Sequence, residues 1–167
     1  KKSTEIYIKN LPFKLTNGQR NALAEINYDL LSKNRMFRII QGDVGSGKTI
    51  VSLLAIINVI KSGYQCTLMS PTEILAKQHY ELSKKILDRG NFNISFLTGK
   101  TNYIERKEIL NDLEKGKINL LIGTHALFQK KISFKNLGLV VIDEQHKFGV
   151  KQRSDLAKKG GDNCDVL

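Results

Sequence analysis

The sequence predicts an α/β domain in which a mostly parallel sheet lies between layers of helices. Short apolar segments typical of strands alternate along the chain with longer helical segments, and this alternation is typical of parallel βαβ units. A glycine-rich segment at 42–49 also separates one predicted strand from one predicted helix, which is the place where phosphate-binding loops occur. With 167 residues, the chain can form one domain with a sizeable core.

The predicted elements follow one another in a regular order. A short segment at 5–9 alternates in polarity, as strands do. Strands are predicted at 36–40, 65–69, 94–97, 119–122 and 139–142, and a further strand begins at 165–167. Helices are predicted at 16–32, 50–60, 72–87, 103–114 and 151–158, with Thr72 and Thr101 as N-caps.

Residues 42–49 read Gly-Asp-Val-Gly-Ser-Gly-Lys-Thr and match the phosphate-binding pattern G-x-x-x-x-G-K-[ST] at every position. Glycines let the backbone curl round a phosphate and point N–H groups inward. The lysine adds a mobile positive charge for the β- and γ-phosphates, and the threonine hydroxyl is a ligand for Mg²⁺. The residues predicted to bind nucleotide here are Gly42, Asp43, Gly45, Ser46, Gly47, Lys48 and Thr49.

An acidic pair ends the predicted strand at 139–142. The strand residues are β-branched or apolar without a polar break, as in a parallel strand that is buried on both faces. Asp143 therefore reaches the carboxyl edge of the sheet, where we expect it to hold hydrated Mg²⁺. Glu144 is placed to orient and deprotonate an attacking water molecule. Lys48, Asp143 and Glu144 are thus the predicted catalytic set.

Composition narrows the class of protein. The net charge of +11 favours a nucleic acid partner, although a generally lysine-rich composition would give the same value. The longest apolar run, at 50–60, is too short to span a membrane. No apolar segment follows the N-terminal residues, and the two cysteines lack CxxC spacing, so we expect no signal peptide and a cytoplasmic location. The three histidines lack zinc spacing.

Four motifs resemble those of the first motor domain of the RecG family, which are superfamily 2 DNA translocases. They lie at 41–49, at 70–79 (Ser-Pro-Thr-Glu-Ile-Leu-Ala-Lys-Gln-His), at 123–127 (Gly-Thr-His-Ala-Leu) and at 141–153. The resemblance implies a RecA-like P-loop NTPase fold that uses ATP and Mg²⁺. It also implies ATP-dependent DNA helicase activity on branched DNA, such as replication forks and Holliday junctions in recombination and repair.

The resemblance further implies the setting of the domain. Motors of this type work as two RecA-like domains with a fork-recognising wedge domain. We therefore expect residues 1–167 to form a single helicase ATP-binding domain of a larger, monomeric protein, with little turnover of its own. The alternative is a P-loop module of an ATPase that does not bind nucleic acid; motifs 70–79 and 123–127 favour the motor.

The resemblance places an adenine-recognition segment before the first long helix. Phe13 would pack near the base, and the Gln19 amide would donate to and accept from adenine. The spacing Thr16-x-x-Gln19 also fits a helix capping box, so both readings stay open. Gln145 and His146 would link the γ-phosphate to the DNA site; His146 as a simple cap or packing residue is the alternative.

Three junctions between strands and helices would contact the backbone of the tracked DNA strand. They contain Pro71 and Thr72, Thr98 and Gly99, and Thr124. Helix N-termini and small hydroxyl side chains can bind phosphate without reading base sequence. A plain N-cap is the alternative for Thr72. The basic segment at 147–159 is more typical of a solvated face or an inter-domain contact than of a duplex-binding site.

Overall fold

The computed structural model describes residues 2–32, 36, 38, 40, 47–129, 131–144, 151, 155, 158, 159 and 165–167. Its five strands form one sheet in the order β2-β3-β1-β4-β5, and every neighbouring pair is parallel. The predicted α/β class with a parallel sheet is therefore confirmed. The strands are β1 (Gln65–Met69), β2 (Ile94–Leu97), β3 (Leu120–Gly123), β4 (Leu137–Ile142) and β5 (Asp165–Val166).

Helices cover both faces of this sheet. They are α1 (Lys2–Lys9), α2 (Asn17–Leu30), α3 (Lys48–Lys61), α4 (Glu73–Leu87) and α5 (Tyr103–Glu114). Helix α3 is apolar on almost every side and is buried from Ile50 to Ile57, as expected for a helix that other elements surround. It packs against α1, α2 and β1. None of the helices in the described part of the chain is long and apolar enough to cross a membrane.

The core is divided by the sheet into two clusters, and β4 shows how. Leu139 and Val141 point to the cluster formed with α1 to α4, whereas Val140 and Ile142 point to the cluster formed with α5. Alternate residues of one strand thus meet opposite layers. This arrangement explains why β4 has no polar break, because both of its faces are buried.

Residues 5–9 form part of helix α1 and not the strand that their alternation suggests. Thr4 and Tyr7, three residues apart, are the buried positions, whereas Ile6 is 58% exposed. The ring of Tyr7 stacks on Phe92, and the Lys61 ammonium group lies 5.1 Å from the centre of the Tyr7 ring. The buried residues of this segment thus follow helical spacing and not the alternation that is typical of a strand.

The remaining predicted elements agree with the structure to within about two residues, apart from two segments that are only partly described. Of the segment at 36–40, Met36 and Arg38 form backbone hydrogen bonds with Val166. The predicted helix at 151–158 lies mostly outside the described residues. The predicted N-cap Thr72 is confirmed, but Thr101 is not the cap of α5. Asn102 is the cap, because its Oδ1 accepts the Glu105 N–H at 2.9 Å.

Candidate nucleotide and nucleic-acid site

The parallel sheet brings four of the predicted site residues to one edge. Strands β2, β3, β1 and β4 are consecutive neighbours and point the same way. Their carboxyl ends therefore meet at the same edge, where open α/β sheets bind ligands. Thr98, Thr124, Pro71 and Asp143 follow these strand ends in that spatial order.

The described part of the phosphate-binding loop leads directly into α3. Gly47 is the N-cap of this helix and has a φ of 76°, a left-handed conformation that favours glycine. Lys48 and Thr49 are the first two residues of α3 and are half-buried. The N-terminus of a long helix favours an anion. The other predicted loop residues lie outside the described residues; they are Gly42, Asp43, Gly45 and Ser46. The predicted γ-phosphate residue His146 also lies outside them.

Gln19 contacts the loop and also caps α2. Its Oε1 accepts the Thr16 backbone N–H at 2.9 Å, and the Thr16 Oγ1 accepts the Gln19 N–H at 3.2 Å. The predicted capping box is therefore confirmed. A Cβ atom at Gly47 would overlap the Gln19 amide nitrogen, so this end of the amide lies against the loop. Phe13, in the segment before α2, is 47% exposed.

Asp143 lies beside the end of β1 and carries a defined set of contacts. Its N–H donates to the Met69 carbonyl at 2.8 Å, and its Oδ2 lies 2.8 Å from the His79 Nε2. The hydrogen bond from His79 is the main cause that lowers the pKa of Asp143. The positive charge of Lys48 lowers this pKa further, and burial opposes both effects. Asp143 is therefore ionised at neutral pH.

Helix α3, which begins at Lys48, packs against β4, the strand that ends just before Asp143, and this packing brings the two sequence motifs to the same region. Glu144 is the next residue and is half-buried. Its φ of 54° places a non-glycine residue in the left-handed region, a conformation that carries strain and is often found at functional sites. Asp143 and Glu144 thus follow the end of β4, and Lys48 begins the helix that packs against this strand.

His79 lies in the motif at 70–79, but sequence reasoning gave it no role in the candidate site beyond excluding a zinc site. The residue lies on α4, and its side chain is 12% exposed. The spacing in the sequence indicates its position. His79 lies three residues after Ala76 and four before Ser83, so the three residues share one face of the helix. Ala76 and Ser83 are both fully buried, which places His79 on the inner side of α4.

The three predicted DNA junctions lie at adjacent strand ends but differ in exposure. Thr72 is exposed, and its Oγ1 accepts the Leu75 N–H at 3.3 Å, so the hydroxyl caps α4. Thr98 and Thr124 are only 4% and 7% exposed. The Thr98 Oγ1 accepts the Lys100 N–H at 3.2 Å. The hydroxyls of Thr98 and Thr124 are therefore poorly placed for a surface contact, whereas Thr72 is well placed.

An ion pair joins the first two junctions. The Lys100 ammonium group lies 3.3 Å from Glu73 Oε2, and the Lys100 side chain is 85% exposed. Gly99, beside it, is also exposed. In the basic segment at 147–159, Lys159 is not simply solvated: its ammonium group donates to the carbonyls of Gln129 at 2.8 Å and Ile132 at 2.7 Å.

The described residues suit Mg²⁺ held with a phosphate ligand. Within the ranges given for the structure, no three His, Cys, Asp or Glu side chains cluster into a metal site. Mg²⁺ does not need such a cluster, because it usually takes one or two carboxylates together with substrate phosphates and water. An ionised Asp143 follows β4, against which α3 packs, and Thr49 lies in the first turn of α3; the oxygens of these two residues suit such a donor set.

Comparison with known proteins identifies the family. The family model of the DEAD/DEAH box helicases matches residues 16–164, which include both sequence motifs of the site. The chain belongs to the DEAD/DEAH box helicase family. Membership does not favour the alternative of an ATPase module unrelated to nucleic acid.

Curated relatives of this helicase domain are named ATP-dependent DNA helicase RecG. The relative from Thermotoga maritima is 50% identical over 159 residues, which are 95% of this chain and 20% of the relative. The Bacillus subtilis relative is 50% identical over 161 residues, 96% of this chain and 24% of the relative. The chain thus spans about a fifth to a quarter of the length of these relatives.

Solved structures confirm the predicted RecA-like fold. A structure of RecG bound to a three-way DNA junction matches with a TM-score of 0.88 and 45% identity, over 99% of this chain and 22% of that chain. The DEAD-box helicase Mss116 bound to single-stranded RNA and UDP-BeF matches with a TM-score of 0.77 and 24% identity, over 100% of this chain and 38% of that chain. The second match supports the fold alone.

Proposed function

We propose that this helicase domain binds ATP with Mg²⁺ and is a motor domain of a DNA helicase that acts on branched DNA. The observation that carries the proposal is that Asp143 follows β4 at the carboxyl edge of the sheet, while Lys48 begins the helix α3 that packs against this strand. A positive side chain beside a helix N-terminus suits nucleotide phosphates, and a carboxylate next to it suits their cation.

Each residue at this edge has a distinct role in the proposal. Lys48 binds the β- and γ-phosphates as a mobile charge, and the first N–H groups of α3 donate hydrogen bonds to the same phosphates. Thr49 and Asp143 hold Mg²⁺, which neutralises phosphate charge when it is bound. Glu144 takes the proton of the attacking water. Gln19 and Phe13 contact the adenine base, and His146 senses the γ-phosphate.

The proposed substrate comes from the RecG relatives and from the named DNA junction of the matching structure. Such a protein would supply a second RecA-like domain and a wedge domain in cis, and it would work as a monomer on forked or branched DNA without sequence preference. Because the curated relatives come from bacteria, whose DNA lies in the cytoplasm, we propose a cytoplasmic location.

A negative charge at Thr72 tests the DNA contact. In the full-length protein, Thr72→Asp keeps an N-cap oxygen for α4 but places a carboxylate where a DNA phosphate would lie. Charge repulsion at about 4 Å is worth about 1–4 kcal/mol, so DNA-stimulated ATPase should require at least about fivefold more DNA for half-maximal rate. The basal affinity for ATP should stay unchanged.

Two controls separate this effect from loss of the cap or from a general change in charge. Thr72→Ser keeps the cap and should behave like the wild type. Asn91→Asp adds the same charge before β2, at the opposite edge of the sheet, at a left-handed position that Asp tolerates. Equal DNA requirements for Thr72→Asp and the wild type would place the DNA strand elsewhere. Thr124→Ala is less informative because Thr124 is buried.

Gln19 provides a test of base recognition. Gln19→Glu keeps the capping box, since a Glu side chain can also accept the Thr16 N–H. It removes the amide N–H₂ that would donate to adenine. The preference for ATP over GTP, measured as a ratio of dissociation constants, should fall by about tenfold, corresponding to about 1.4 kcal/mol. Because both nucleotides carry the same phosphates, repulsion by the new charge cancels in this ratio, and an unchanged ratio would exclude base recognition by Gln19.

A further inference from the structure

His79 joins helix α4 to the carboxylate that is proposed to hold Mg²⁺. The Nε2 of His79 lies 2.8 Å from the Oδ2 of Asp143. An ionised carboxylate only accepts hydrogen bonds, so Nε2 carries the hydrogen and donates it. The His79 side chain is 12% exposed and the Asp143 side chain is 31% exposed. The hydrogen bond is thus partly screened from water on the histidine side.

Both partners are held by the surrounding structure. Ser83, one turn after His79, is fully buried, and its hydroxyl donates to the His79 carbonyl at 2.6 Å. Helix α4 packs against β2 and β3 through its buried face. On the other side, the backbone of Asp143 is tied to Met69 of β1 at 2.8 Å. The packing of α4 therefore fixes the position of the His79 side chain next to the Asp143 carboxylate.

We propose that His79 is a positioning residue for Asp143. Its N–H fixes one oxygen of the carboxylate and so orients the group for Mg²⁺ without touching nucleotide itself. The proposal rests on the proposed nucleotide-binding function. Partners of metal ligands that act in this way typically contribute about 10–100-fold to metal affinity or activity.

The test compares two substitutions at His79 in the full-length protein. His79→Leu removes the N–H with little change of volume, whereas His79→Gln places an amide N–H near the position of Nε2. ADP binding is measured by calorimetry in EDTA and over a series of Mg²⁺ concentrations. In EDTA, His79→Leu should bind ADP as tightly as the wild type does. The Mg²⁺ concentration that produces half of the Mg²⁺-dependent increase in ADP affinity should be about 10-fold higher for His79→Leu than for the wild type. His79→Gln should restore most of the difference.

A merely structural role predicts a different pattern. It would lower ADP affinity in EDTA and in Mg²⁺ alike, together with the melting temperature, and this result would overturn the proposal. A Mg²⁺ requirement of His79→Leu within twofold of the wild type would also overturn it. If His79→Leu does not fold, His79→Asn replaces it; the amide of Asn is too short to reach Asp143, so the same shift in Mg²⁺ requirement is expected.

The same assay separates this proposal from the proposed function. Lys48→Ala should weaken ADP binding whether or not His79 positions Asp143. One outcome would refute the role of His79 alone. In it, the wild type binds ADP, Lys48→Ala weakens this binding, and His79→Leu keeps the Mg²⁺ requirement of the wild type. A wild-type protein that binds no ADP would refute the nucleotide site and the role of His79 together.

Discussion

Replacement of Glu144 by Gln should reduce DNA-stimulated ATP turnover by the full-length protein about 10²–10⁴-fold, the usual contribution of a general base. The amide has the same shape as the carboxylate but cannot take a proton from water. Glu144 follows Asp143 directly and is half-buried at the carboxyl edge of the sheet. Its left-handed backbone, with a φ of 54°, sets the direction of the side chain. Steady-state ATPase assays with saturating DNA would measure the loss.

Binding measurements show whether the loss is chemical. Glu144→Gln should keep the ATP affinity of the wild type, because Lys48 and Asp143 are unchanged. Glu108→Gln makes the same chemical change at an exposed position on α5 and should retain normal turnover. Turnover by Glu144→Gln close to that of the wild type would exclude the role of general base. A parallel loss of ATP affinity would instead indicate that Glu144 acts through nucleotide binding.

The sequence predicts the central strands β1, β3 and β4 well because they are buried on both faces. The uninterrupted apolar sequence of β4 is stable only where both faces of the strand are buried. Helix α3 is apolar on almost every side because it too is surrounded by other elements. Helix α1 was harder to predict. Its alternation is a local pattern, whereas the packing of Tyr7 on Phe92 joins residues that are distant in the sequence.

The site shows the same division between local and long-range information. The N-caps depend on which of two neighbouring polar residues reaches the right N–H, and Thr101 and Asn102 both fit the pattern. The motif around Lys48 is local, so it can be read directly. His79 and Asp143 lie on different elements, and only their packing reveals the 2.8 Å contact. The burial of Thr98 and Thr124 likewise follows from the assembled sheet.

Replacement of Lys48 by Ala should reduce the affinity for ATP and ADP about 10–150-fold, since a hydrogen bond to a charged group is worth about 1.5–3 kcal/mol. Lys48 is the first residue of α3, at the end of the phosphate-binding motif. Lys61→Ala is the matched control, because it removes the same side chain at the other end of the same helix, where Lys61 lies over Tyr7. Calorimetry should show normal affinity for the Lys61 variant. Equal affinities for the wild type and the Lys48 variant would mean that nucleotide phosphates do not bind at the start of α3, and the proposed motor would lose its nucleotide site.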